Sequence, residues 1–324
     1  MSTLERFHTF IILLAVIIGL VLGQIPFIEA NAGYLIVPFL LLMLYGLFLT
    51  IPIKDLKNAF LNIKFAWVSL SINFIWTPLL AWGLGAVFLA DQPALWIGFI
   101  MLMVTPCTDW YLVFTAIAKG NVSLAMSILP INLLLQVILL PIYLFIFAGA
   151  IETIQLSALL ESIIIVLIIP FLLANTTRFL LNKYKKQEIL ENKIIPFFGL
   201  GQVIFLSLAI GSMFASQGRL LIENINLVFV LLIPVLLFFL INFLLGRGIS
   251  YLAKFYYEDS VSLNLTTLAR NSPLSLAIAV TAFPDQPIIA LALVIGPLIE
   301  LPVLTIISQI LLIIRKSTST PKNS

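Results

Sequence analysis

One cysteine, one histidine and few charges distinguish this 324-residue sequence by what it lacks. With Cys107 alone, no disulfide can close within the chain and no multi-cysteine metal cluster can be built. Charged residues make up 10% of the total, against about a quarter in ordinary soluble domains, whereas 62% are hydrophobic. So large an apolar excess cannot be hidden in one core, so the outside of the molecule faces lipid. A soluble enzyme is thereby excluded. The net charge of +3 comes from short basic clusters between apolar runs, which sets aside nucleic acid as a partner and points to membrane topology signals. The sequence also lacks a GxxxxGK phosphate loop, so an ATP-driven pump is not expected in this chain and no cofactor is implied.

What is present is a series of apolar runs, each near the roughly 20 residues needed to cross a bilayer. They lie near 7–24, 33–52, 65–90, 94–118, 122–149, 157–181, 194–216, 226–250, 258–284 and 286–314, predicting ten helices. The runs are continuous and rich in Leu and Ile, which excludes the short alternating strands of a membrane barrel. The first lacks a small-residue cleavage pattern and reads as a retained helix. Fifteen of the seventeen Lys and Arg residues fall on the side that carries the amino terminus, and Arg219 stands alone on the other with Glu29, Asp91, Glu152, Glu223 and Asp285. The positive-inside rule then puts both termini in the cytoplasm, the cell membrane being the expected location. The tail 317–324 is short and polar and reads as disordered.

Shifting the sequence by 164 residues lays 105–110 on 269–274 and Gln136 on Glu300. Two mid-membrane polar clusters and two lone amide or carboxylate side chains coincide at this single offset. Five spans per half is an odd number, so the halves (about 1–150 and 157–316) should be inverted repeats within one transmembrane domain, an arrangement of secondary transporters.

The polar clusters carry the chemistry. Helix four is interrupted at Thr105-Pro106-Cys107-Thr108-Asp109 and helix nine at Arg270-Asn271-Ser272-Pro273. Proline removes a backbone donor, and the flanking polar groups can satisfy the backbone so freed. Both helices are expected to break and to cross. Asp109 and Arg270 lie too deep to snorkel, so they are expected either to pair or to face one hydrated cavity, with a purely structural salt bridge as the alternative to a functional pair. Glu300, within Gly296-Pro297-Leu298-Ile299-Glu300-Leu301-Pro302, has no basic residue within a helical turn. A carboxyl in that setting can carry a proton, unless it serves only as a hydrogen-bonding strut like its repeat mate Gln136. Cys107 by composition alone is an ordinary buried hydrophobe, but inside a polar break its thiol can meet a soft solute such as trivalent arsenic or antimony. The hydroxyls of Thr105, Thr108 and Ser272 would assist by hydrogen bonding.

Thr105-Pro106-Cys107, Ile117-Ala118-Lys119-Gly120-Asn121, Leu276-Ala277-Ile278-Ala279-Val280 and Val294 through Val303 together resemble the bile acid/sodium symporter superfamily, and within it the arsenite-efflux permeases. The resemblance implies a ten-helix, inverted-repeat transporter. It assigns Cys107 in helix four and Glu300 in the last helix as the functional pair. It also implies a departure: where sodium-coupled members carry a glutamate and a glutamine before the asparagine matching Asn271, this sequence has Thr266 and Arg270, and a cation there would repel sodium.

The expectation is therefore a secondary transporter exporting arsenite or a related metalloid in exchange for protons. Cys107, Thr105, Thr108, Asn271 and Ser272 would receive the solute, Glu300 would exchange the proton, and Asp109 with Arg270 would gate or balance charge. The rival is a sodium- or proton-coupled symporter of a small organic anion drawn by Arg270 and the helix ends. A membrane-embedded enzyme has no supporting motif.

Overall fold

A computed structural model of the protein describes residues 8–50, 62–108, 110–148, 156–184, 187–223 and 225–319. Most of these residues are helical, with no strand among them. In chain order the helices are α1 (His8–Leu22), α2 (Pro26–Thr50), α3 (Ile63–Phe88), α4 (Pro93–Met103), α5 (Trp110–Ile117) and α6 (Val122–Tyr143). There follow α7 (Leu160–Lys183), α8 (Ile195–Glu223), α9 (Ile225–Leu252), α10 (Tyr257–Leu268), α11 (Ser272–Ala282) and α12 (Pro287–Ser319).

Seven of these, α2, α3, α6, α7, α8, α9 and α12, are long and apolar enough to cross a membrane. The chain is thus a multi-pass, all-helical membrane protein. The remaining three expected spans are not single long helices. The first corresponds to the short apolar stretch Phe10–Leu22. The runs at 94–118 and 258–284 are each divided, into α4 and α5 and into α10 and α11. Proline alone does not explain the division, because Pro38, Pro130, Pro141, Pro234, Pro297 and Pro302 all lie inside continuous helices. The divided runs differ in having several polar side chains around the proline, which offer the backbone partners other than its own helix.

The chain forms two compact units, one from Met1–Ile51, Thr153–Val228 and Pro273–Val294, the other from Pro52–Glu152, Phe229–Ser272 and Ile295–Ser324. In the first unit α8 packs along α2 and α1. The contact with α1 is close because of glycine: a Cβ at Gly19 would stand 2.4 Å from the Gly211 carbonyl oxygen, and one at Gly23 would stand 2.5 Å from that of Ala215. Gly19 and Gly23 thus face Gly211 and Ala215 at the same four-residue spacing, the small-residue packing that lets membrane helices approach backbone to backbone.

The second unit is built around Phe65, Ala66, Ile72, Ile128 and Leu263, which join α3, α6 and α10. One end is pinned by polar contacts. Asn121 caps α6 through the Leu124 N–H at 3.0 Å and donates its side-chain amide to Asp259 at 2.9 Å. The Tyr257 hydroxyl lies 2.9 Å from both the Ala118 and Leu311 carbonyl oxygens, so α10 is tied to the end of α5 and to α12. Burial raises the Tyr257 pKa, with Arg315 and Arg247 opposing and Glu258 reinforcing, so the hydroxyl keeps the proton it donates. Removing it in Tyr257→Phe leaves both carbonyls without that donor, and thermal unfolding should show a loss of about 1 kcal/mol. An unchanged melting midpoint would mean the carbonyls find equivalent partners.

Candidate functional site

The two interruptions lie against each other inside the second unit. Pro106 and Arg270 form an isolated antiparallel bridge. The Cys107 N–H donates to the Ala269 carbonyl at 2.9 Å, and the Asn271 N–H donates to the Thr105 carbonyl at 2.7 Å. Chain that has left its helix in hydrocarbon has no water to bond, and here each break supplies the other's missing backbone partners. Pro106 has no N–H to satisfy, so it sits in the bridge without leaving a donor orphaned. The Thr105 hydroxyl lies within hydrogen-bond distance of the carbonyls of Met101, Leu102 and Asn271, at 3.1, 3.2 and 3.3 Å, closing the end of α4 and touching the opposite break.

Cys107 is buried, and its Sγ accepts the Trp110 N–H at 3.3 Å, so the thiol stands at the amino-terminal end of α5. Thr108, Asn271 and Ser272 are buried beside the same breaks in sequence. Glu300 on α12 is 3% exposed, and its Oε1 accepts the Arg270 N–H at 2.8 Å. Its donor is a main-chain N–H freed by the break after α10, a group whose availability the sequence does not display. The consequence is a continuous link. One peptide group, Ala269–Arg270, accepts from Cys107 at its oxygen and donates to Glu300 at its nitrogen.

The Arg270 side chain turns to the helix ends. Its Nε donates to the Leu268 carbonyl at 3.0 Å, Nη1 to Met103 at 2.9 Å, and Nη2 to the Asn73 Oδ1 at 3.1 Å and to the Thr267 carbonyl. The guanidinium also lies 5.4 Å from the Phe238 ring centroid. Asp109, the expected partner, lies outside the described residues.

Gln136 is fully buried on α6 and its amide has no hydrogen-bond partner among the described residues; the same holds for Asn132 one turn earlier. The structure therefore brings Thr105, Cys107, Arg270, Asn271 and Glu300 together by direct bonds, while none joins Gln136 to them. Asn73, which holds both Arg270 and the Thr266 carbonyl, was not singled out from the sequence. The available signal was an asparagine in the middle of an apolar run. No group of three or more His, Cys, Asp and Glu side chains suited to a metal ion occurs among the described residues.

Comparison with known proteins agrees in length and in kind. The profile described as the Sodium Bile acid symporter family matches residues 37–224. The arsenical-resistance protein Acr3 of Corynebacterium glutamicum is 28% identical over 322 residues, covering 94% of this chain and 87% of that protein. Its namesake in Alkaliphilus metalliredigens is 22% identical over 328 residues, covering 94% and 91%. An uncharacterized transporter of Synechocystis sp. is 23% identical over 343 residues, covering 96% and 88%.

Proposed function

This chain belongs to the sodium bile acid symporter family, a family of transporters rather than enzymes, and from that premise we propose that it exports arsenite or a related metalloid in exchange for protons. The observation that carries the reading is the shared peptide group between Cys107 and Glu300. Trivalent arsenic prefers sulfur to oxygen, and the single thiol of the chain stands at the crossover with the Thr105 hydroxyl beside it. Thr108, Asn271 and Ser272 complete the polar lining by hydrogen bonding to the solute's hydroxyls. Glu300 takes and releases the proton, and its charge is felt at Cys107 through one polarisable peptide. Asp109 contributes to charge balance in the cavity.

The ten-span, five-plus-five inverted repeat belongs to the same reading. Both compact units draw on both halves of the chain, as two repeats contributing equivalent helices would require. Both termini face the cytoplasm and the protein resides in the cell membrane. The rival organic-anion reading relied on Arg270 to attract a carboxylate, and the engagement of that guanidinium by four protein oxygens counts against it.

Arsenite accumulation in metalloid-sensitive cells tests the proposal. Cells expressing the wild type should hold less arsenite than controls; Cys107→Ser, with equal membrane expression, should return accumulation to the control level, and so should collapse of the proton gradient. Unchanged accumulation with a well-expressed wild type would overturn the metalloid assignment and make organic acids the next substrates to assay.

A further inference from the structure

We propose that the guanidinium of Arg270 is a tethered cation that positions the crossover by joining the carboxyl-terminal ends of α4 and α10. α4 ends at Met103 and α10 at Leu268, and each end leaves carbonyls without intrahelical donors and carrying partial negative charge. In water such groups would be hydrated. Inside a membrane protein two of these ends brought to one place repel each other, and a cation between them offsets the repulsion and supplies donors to the carbonyls that neutral side chains do not reach.

The acceptors found there are the carbonyl oxygens of Met103, Thr267 and Leu268 and the Oδ1 of Asn73. Four neutral oxygens spread along the N–H edges of the guanidinium are an acceptor set fit for a broad, planar cation. The chain fills it itself. Guanidinium suits the task because it is planar, always charged and offers five N–H groups, so it can bond several carbonyls that a compact ammonium could not span. The Phe238 ring, 5.4 Å from the guanidinium carbon, supplies a further surface that favours a cation. Arg270 is 3% exposed, so this bonding takes place away from solvent. The peptide that links Cys107 to Glu300 carries the Arg270 nitrogen, so fixing the side chain fixes the peptide plane. Arg270 is accordingly a positioning residue, and no metal cation from solution is needed to hold the crossover. The inference concerns the crossover and not the cargo, so it stands or falls whichever solute is carried.

Thermal unfolding of the purified protein in detergent, with no solute present, is the experiment. The wild type should melt at the same temperature in sodium and in choline chloride. R270A should melt lower by about 5 °C or more, and low-millimolar guanidinium chloride should restore most of that shift whereas urea, its neutral isostere, should not. R270K should melt above R270Q, because it keeps the charge. Transport, followed with the solute the wild type is found to carry, should follow the same order, with R270Q reduced at least about tenfold. Recovery of R270A by urea as fully as by guanidinium, failure of guanidinium to restore it, or equal melting of R270K and R270Q would each overturn the proposal. Should R270A fail to accumulate, the comparison of R270K with R270Q decides alone.

Discussion

Glu300→Gln should abolish uphill arsenite transport in proteoliposomes driven by a proton gradient, yet leave the protein folded. The two halves of that result come from two different properties of the side chain. As an acceptor, Glu300 satisfies the N–H of Arg270 at 2.8 Å, and the Oε1 of a glutamine can do the same. As an acid, Glu300 can lose and regain a proton, and glutamine cannot. The thermal midpoint of Glu300→Gln should therefore stay near that of the wild type while driven transport falls to background. Glu300→Leu separates the two properties in the opposite sense: it leaves the Arg270 N–H buried without an acceptor, which costs about 1–3 kcal/mol. Retention of uphill transport by Glu300→Gln would remove the proton from this residue, whatever the fate of the metalloid assignment.

The sequence made the apolar runs legible because a membrane helix must be apolar along its whole length, a property that needs no knowledge of neighbours. The interruptions were legible for a related reason: Thr105 through Thr108 and Arg270 through Pro273 place polar groups where lipid or a packed interior would penalise them. The way these groups are satisfied was not legible. A buried cation suggested a carboxylate partner; among the described residues the Arg270 side chain donates to the Asn73 Oδ1 and to three main-chain oxygens, which exist as acceptors only because α4 stops at Met103 and α10 at Leu268. Helix ends are invisible until the helix is known to end. Asn73 was missed for another reason, since it acts on a residue 197 positions away through a contact made by the fold alone. Six prolines inside unbroken helices make the same point from the other side. The break at Pro106 belongs to the pair of segments that complete each other's hydrogen bonds, and a residue type alone does not specify it.

The glycines at and just beyond the carboxyl-terminal end of α1 are a case where composition says little and packing a great deal, and they support the second large prediction. Gly19→Ala should destabilise the protein by about 1–3 kcal/mol, because the new methyl would stand 2.4 Å from the Gly211 carbonyl oxygen, and a backbone atom can yield only if the whole helix shifts. Gly23→Ala meets the Ala215 carbonyl at 2.5 Å and should behave alike, with the double variant failing to accumulate in membranes. Gly211→Ala is the control, since its Cβ would find the Ala15 carbonyl oxygen at 3.4 Å, an ordinary contact, and alanine favours the helix. Its effect should lie within about 0.5 kcal/mol of zero. The same two helices are involved in all three substitutions, so a general intolerance of α8 or α1 to change would strike them equally. Thermal unfolding of the three single variants in detergent resolves the matter. Equal loss at positions 19 and 211 would mean that small size is required across the whole contact, and the asymmetric geometry between Gly19 and Gly211 would then have no energetic weight.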